Sequence, residues 1–480
     1  MASSELPITK VAITFNGKPM ACRSGTSLAV SLWEHGVRHI SHGHKFGRPR
    51  GLLCARGHCT NCLVRVDGIP NIRSCEASIR QGMVVSTQDT GAFYAAPMQK
   101  ILSLGSQWMP VGFYFKWFTK PASLSRFFLA SIRPLAGVGR LPDAISIPTV
   151  RQLPDAPEKS KSAPAPHLGR YDHVVIGAGP SGLATAAELS GNVLLLDEGT
   201  ELGGQRVAAL RSAFSAEDQS SAQFPVLSQA LARIKRHIEK AQSNSRITAK
   251  TNCRVTAGYH PDGLVMRDSD GLKTVRFDHL IWAGGALDTL GLFPGNDTPG
   301  IFGPRALYRL LTRDGLDVKG QHVLLTGSGL DLWLCATLLT SRGATVTLVV
   351  TAIGGQHEVA AAIDLKWPVH TGLKLSEVRE VSAGRIQASF LPGSNAPGPA
   401  GSHLRFESDF VVICAQGKPT YDVPYQVGAD LAMVPGRGGY VPRDCEKNDN
   451  NAVEQTLPNG VRLTFTGEAL GHSPAEQVRR

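Results

Sequence analysis

Four cysteines constrain this chain more than any other feature. Cys54-Ala-Arg-Gly-His-Cys59-Thr-Asn-Cys62 packs three of them into one short stretch, and Cys75 follows after twelve intervening residues. The spacing C-x4-C-x2-C…C is the plant-type pattern for a [2Fe–2S] cluster. Four thiolates must converge on two irons, so the backbone has to wrap closely, and Gly51 and Gly57 give it that freedom. Zinc held by four cysteines is the plainest competitor. Such sites pair two C-x2-4-C knuckles, whereas here the fourth cysteine stands alone. His35, His39, His42, His44 and His58 lie nearby. Rieske-type ligation by histidine is unnecessary where four cysteines already have the right spacing.

The other five cysteines, Cys22, Cys253, Cys335, Cys414 and Cys445, are scattered through 480 residues and read as small buried apolar groups. That is no disulfide framework, so a reducing compartment is expected. The N-terminus lacks the apolar core of a signal peptide, and no apolar run approaches the roughly 18 residues of a membrane span. The expected location is cytoplasmic, with no transmembrane segment. Net charge is +11 and the pI is about 9.3. The basic residues are dispersed and no nucleic-acid motif accompanies them, so nucleic acid is not an expected partner. Dinucleotides, flavin phosphates or an acidic partner subunit suit such a surface equally well.

In chain order, residues 1–90 read as a β-rich domain holding the cysteines. Val11–Phe15, the turn Asn16-Gly17 and Lys18–Cys22 form a hairpin pattern. Ser27–Trp33 has helical spacing with Thr26 as N-cap. Leu63–Gly68 and Met83–Thr87 alternate as strands. This order resembles the β-grasp ferredoxin fold. The basic stretch Lys45–Arg50 reads equally as an anion-holding loop or a solvated one. Residues 91–170 form a bridge and linker. Within them, Pro110–Phe118 is an aromatic run that suits burial at an interface.

Residues 171–320 open with a complete dinucleotide fingerprint. The strand Asp172–Ile176 leads into Gly177-Ala178-Gly179-Pro180-Ser181-Gly182, then a helix, then a second strand ending at Asp197 and Glu198. Gly177 makes the tight turn, Gly179 lets backbone approach a diphosphate, and Gly182 lets helix and strand pack. Glu198, or Asp197 before it, accepts from ribose hydroxyls. The trailing Gly203-Gly204-Gln205 favours a flavin dinucleotide, FAD, over plain NAD. A second nucleotide fold spans residues 321–412. Its loop Gly327-Ser-Gly329-Leu-Asp-Leu332 has lost the third glycine, and its second strand ends at Val350-Thr351 without an acid. A bound NAD(P) there is an even expectation. Residues 413–480 return to the first nucleotide domain, with Gly467 and Glu468 near its flavin end. The expected fold class is α/β: a β-grasp ferredoxin-like domain followed by a flavoprotein with two Rossmann-like dinucleotide-binding domains.

Several stretches together resemble the α-subunits of heteromeric amine and imino-acid oxidoreductases: sarcosine oxidase, hydrogen cyanide synthase, opine oxidase and proline or hydroxyproline dehydrogenase complexes. They are His44–Gly51, the Cys54–Cys75 set, Pro110–Lys116, Ala136–Arg140, Gly177–Gly182, Gly203–Gln205, Gly327–Gly329 and Ala415–Gly417. The resemblance implies an oxidoreductase subunit that relays electrons. Its main partner would be a flavoprotein β-subunit of amino-acid-oxidase fold, with a further small subunit as a second partner. Cys54, Cys59, Cys62 and Cys75 would hold the cluster. FMN could be shared at a subunit interface, with the Lys45–Arg50 loop on its phosphate, and NAD(P) or ATP remain open as further nucleotides. In such flavoproteins a Gly-Asp pair contacts the ribityl chain, and this chain has Glu468 instead. No residue reads as a catalytic base, and no Cys-x-x-Cys accompanies Cys335 in the second nucleotide fold. A stand-alone NAD(P)H reductase, or a scaffold with a structural nucleotide, are the rival readings.

Overall fold

Asn16 and Gly17 take positive φ of 48° and 78°. They close a two-residue turn that sets Phe15 opposite Lys18 and pairs β1 (Lys10–Phe15) antiparallel with β2 (Lys18–Arg23). The computed structural model of the protein describes residues 10–42, 48–87, 120–123, 125–126, 166–215, 223–260, 263–351, 356–382, 384–393, 404–446, 452–457 and 460–471. Residues 43–47 of the basic loop, the aromatic run 110–118, the stretch 136–140, the linker 151–165 and the tail after residue 471 lie outside them. The chain divides into two compact units. The first is Met1–Glu158 with Asp297–Gly300 and Asp314–Leu316, and the second is the remainder.

In the first unit, β3 (Leu63–Val66), β4 (Ile69–Arg73) and β5 (Val84–Thr87) complete a five-stranded sheet of order β2-β1-β5-β3-β4. Pro70 interrupts β4 and hides the strand in the sequence. β4 is an edge strand, where a missing N–H is tolerated. The helix α1 (Leu28–Glu34) buries Leu28, Val30, Leu32 and Trp33. Its N-cap is Ser27, which accepts from the Val30 N–H, not Thr26 as the sequence suggested. Thr26 instead donates from its hydroxyl to the Arg23 carbonyl. This β-grasp arrangement is the one expected.

The second unit is built on two sheets, the first mixed and the second parallel. In the first, β6 (His167–Ile176), α2 (Pro180–Glu188) and β7 (Val193–Leu196) form the dinucleotide unit. Two helices follow, α3 (Val207–Ser215) and α4 (Pro225–Gln242), then β8 (Ile247–Lys250), β9 (Arg254–His260), β10 (Gly263–Asp268) and β11 (Gly271–Trp282). The sheet order is β8-β7-β6-β11-β10-β9. Val174, Val193–Leu196, Phe277, Leu280 and Ile281 are fully buried, as strands covered on both faces must be.

The second fold begins with β12 (Ile301–Phe302) and α5 (Pro304–Thr312). Its nucleotide-type unit is β13 (His322–Gly327), α6 (Leu330–Thr340) and β14 (Thr345–Val350), followed by β15 (Val369–Thr371). A meander of β16 (Leu373–Ser382), β17 (Arg385–Pro392) and β18 (Leu404–Ser408) precedes β19 (Phe410–Cys414). The sheet order is β12-β19-β13-β14-β15. The chain then returns to the first sheet, where β21 (Arg462–Thr466) pairs in parallel with β11 and antiparallel with β20 (Ala452–Thr456). A 3-10 turn, Gly467–Leu470, follows. The two Rossmann-like folds agree with expectation.

Candidate functional site

The cysteine loop is held by its own backbone. Ser74 is fully buried, and both its N–H and its hydroxyl donate to the Cys62 carbonyl, at 3.0 and 2.9 Å. This pins Cys75 beside Cys62. The Cys54 sulfur accepts from the N–H groups of Arg56 (3.5 Å) and Cys59 (3.3 Å). Ala55 and Gly57 both take positive φ, which turns these donors inward.

None of the four thiols is in a disulfide, and Cys62 and Cys75 are buried. They stand as two hydrogen-bonded pairs. The bond from Cys59 draws the Cys54 thiol below its ordinary value, helped by three backbone donors, while Cys59 is pushed up. Cys75 acts on Cys62 in the same sense, and the bond and burial push Cys75 up in turn. Among the described residues, no three His, Cys, Asp or Glu side chains close on one point. The donor set is two hydrogen-bonded thiol pairs with backbone donors that favour thiolate, a set that a binuclear cluster would use. The residues fit that group better than a single tetrahedral ion.

The nucleotide turn shows why three glycines stand there. A Cβ on Gly177 would lie 2.2 Å from the Ala283 carbonyl oxygen, and one on Gly182 would lie 1.9 Å from the Gly177 oxygen. Gly179 faces open space. It is the N-cap of α2 and has no side chain to satisfy the first-turn N–H groups, an arrangement suited to an anionic ligand. Gly203 and Gly204 close over this turn. The Gly203 N–H donates to Ala178 O at 2.8 Å, and a Cβ on Gly204 would meet Gly179 Cα at 2.9 Å.

The two acids after β7 differ. Both oxygens of Asp197 accept backbone N–H groups, from Ala178 at 2.6 Å and Gly199 at 2.7 Å, so Asp197 shapes the turn. Glu198 is half-exposed and accepts from Arg254 Nε at 3.0 Å. Gly467 presses on α2, where its Cβ would lie 2.5 Å from Ser181 Oγ.

These contacts separate two substitutions. Gly182→Ala is expected to lower stability without any ligand by roughly 1–3 kcal/mol, since the methyl must push backbone aside. Gly179→Ala is expected to leave that stability unchanged and to lose bound nucleotide. Denaturant unfolding and the nucleotide released on heating measure the two effects.

Beside this turn lies a buried charge network that no local sequence motif marks. Arg206 reaches both oxygens of Asp331, at 2.5 and 2.7 Å, and Glu468 at 2.7 Å. Arg305 bonds Glu468 at 2.8 Å and Asp288 at 3.1 Å, and Tyr308 donates to Asp331 at 2.8 Å. Burial pushes the Glu468 carboxyl up, but the two guanidiniums outweigh it and hold it at about 2. Glu468 thus has both oxygens engaged by Arg206 and Arg305, where the resemblance implied a ribityl contact. Asp331 sits in the first turn of α6, a helix buried on all sides. A charged residue inside such an apolar run was the one available sequence signal. Cys335 also gains a companion: the fold sets Cys414 of β19 in hydrogen-bond contact with it, and burial pushes the Cys414 thiol well up. Such thiols are poor nucleophiles. Among the described residues no helix is long and apolar enough to cross a membrane.

Known proteins resemble this chain over the regions that carry both sites. Residues 9–90 match the 2Fe-2S iron-sulfur cluster binding domain, and residues 171–354 match the pyridine nucleotide-disulphide oxidoreductase family. The chain is 30% identical over 330 residues to the sarcosine oxidase subunit alpha of Rhizobium meliloti, covering 64% of this chain and 31% of that protein. It is 33% identical over 84 residues to the hydrogen cyanide synthase subunit HcnA of Pseudomonas aeruginosa, covering 17% of this chain and 80% of that subunit. The chain therefore spans about a third of the sarcosine oxidase subunit that it matches. L-proline dehydrogenase from P. horikoshii shares the fold, with a TM-score of 0.55 at 16% identity over 97% of this chain and 70% of that one.

Proposed function

We propose, from the premise that this chain belongs to the family of iron–sulfur flavoprotein subunits of sarcosine-oxidase- and hydrogen-cyanide-synthase-type oxidoreductases, that it relays electrons within a heteromeric complex. A partner subunit of amino-acid-oxidase fold would oxidise a C–N bond of an amine, imino acid or opine, and this chain would take the electrons away. The 2Fe-2S domain and the flavin-dependent oxidoreductase fold support a [2Fe–2S] cluster and FAD as its cofactors.

Cys54, Cys59, Cys62 and Cys75 would hold the cluster, with the Arg56 and Cys59 N–H groups favouring thiolate at Cys54. The turn Gly177-Ala178-Gly179-Pro180-Ser181-Gly182 and the α2 N-terminus would hold the flavin's diphosphate, and Glu198 its ribose, while Asp197 fixes the turn. Gly203, Gly204 and Gln205 would cover the diphosphate, and Gly467 with Glu468 would border the flavin end. When bound, the flavin exchanges two electrons or one and the cluster carries one, which joins the two regimes.

The observation carrying this reading is the pair of hydrogen-bonded thiol pairs on a loop of backbone donors, in a chain that also has a complete dinucleotide turn. The test is purification without oxygen, together with whatever co-purifies. Equal iron and acid-labile sulfide, a released flavin and a second flavoprotein subunit are expected, with amine substrates reducing the complex but not the chain alone. Zinc in place of iron, or fast NAD(P)H oxidation by the isolated chain, would sink it.

A further inference from the structure

We propose that the Glu76 carboxylate holds down the reduction potential of the centre bound by the four cysteines, an inference that rests on the reading above. Gly57 lies inside the cysteine loop at φ +72°, and its N–H donates to the Cys75 sulfur. A Cβ on Gly57 would lie 2.3 Å from both Cδ and Oε1 of Glu76 and 2.6 Å from Oε2. The carboxylate therefore rests against the Cα of the residue that hydrogen-bonds a ligand sulfur, and it comes from the position directly after that ligand. The Glu76 N–H donates to Arg73 O at 3.0 Å, which fixes the start of the side chain.

This contact explains the glycine more fully than loop curvature does. Any side chain at position 57 would collide with the carboxylate as well as strain the backbone. The electrostatic direction follows. A centre ligated by four thiolates becomes more negative when it gains an electron. N–H donors to its sulfurs favour that electron, and a carboxylate packed against one of those donor residues opposes it. The Arg56 and Cys59 N–H groups at Cys54 act one way, and Glu76 beside Cys75 acts the other. Glu76 is exposed, so salt must screen part of its influence.

Full-length protein purified without oxygen, as wild type, Glu76→Gln and Glu76→Asp, provides the test. Iron and acid-labile sulfide are assayed first, then the midpoint potential is titrated by EPR at low and high salt. Glu76→Gln is expected to keep full iron and sulfide and to have a more positive midpoint, with the shift shrinking at high salt. Glu76→Asp is expected to move the same way but less. An unchanged or more negative midpoint with full iron content overturns the proposal. Loss of iron from Glu76→Gln also overturns it, because Glu76 would then be holding the loop together. Wild-type protein without iron overturns the reading of the cysteine site itself, a separate result.

Discussion

Arg305→Leu is expected to destabilise the second unit by about 3–5 kcal/mol, the usual cost of removing one member of a buried ion network. The Arg305 side chain is 2% exposed and reaches Asp288 and Glu468. Asp288 is already occupied as a cap. Its oxygens accept the N–H groups of Arg305 and Ala306 at 3.3 and 3.0 Å, which serves the start of α5 where Gly303 has no side chain to do so. Without the guanidinium, both carboxylates stay buried with half their compensation gone, and Arg206 alone faces Asp331 and Glu468. Arg305→Lys should recover part of the loss, since it restores charge without the planar fork that spans two acids. The double variant Arg305→Leu/Glu468→Leu should be more stable than Arg305→Leu alone, because it removes an orphaned charge. Denaturant midpoints of the three variants check this. The network also predicts acid sensitivity. Glu468 is held at about 2, below its unfolded value near 4.3, so its stabilisation is full above pH 4.3 and is lost as pH falls toward 2.

What could be read before the structure was whatever a local pattern dictates. The glycine turn at Gly177–Gly182 was legible because each glycine answers a collision with a nearby strand or turn, and those collisions recur wherever a strand, a tight turn and a helix meet on a phosphate. The cysteine spacing was legible because thiols that must meet in one place fix the length of the loop between them. The Arg206–Asp331 bond was not, since 125 residues separate its partners and neither sits in a repeating pattern. The contact between Cys335 and Cys414 was hidden in the same way: each reads as one small apolar residue in an apolar element, and only the packing of α6 against the sheet that contains β19 joins them. Thr26 and Ser27 are both good caps, and sequence cannot choose between neighbours whose side chains both accept. The edge strand β4 was obscured because Pro70 removes a donor that only a central strand would need.

Stability is expected to fall by about 2 kcal/mol between pH 7 and pH 5 through His279 alone. His279 on β11 is register partner to His173 on β6, and their Nδ1 atoms lie 3.2 Å apart. Its Nε2 bonds the Thr464 hydroxyl of β21 at 2.8 Å, so the ring is held on both sides within a buried sheet. Two Nδ1 atoms in contact can share one proton, but both cannot carry one without repulsion. Burial pushes the His279 pKa down to about 4, and the charges of Arg462 and His173 push the same way. The unfolded chain protonates near 6.5, so it binds more protons than the folded one between those values. The stabilisation is therefore complete above pH 6.5 and drains away as pH falls toward 4. This window lies above that of Glu468, so the two effects separate on the pH axis. In His279→Gln the amide can still bond Thr464 but cannot titrate, so its unfolding midpoint should vary less between pH 7 and pH 5 than that of the wild type. An equal slope in the two proteins would mean that His279 is protonated in the folded sheet, with His173 or Thr464 turned to accommodate it.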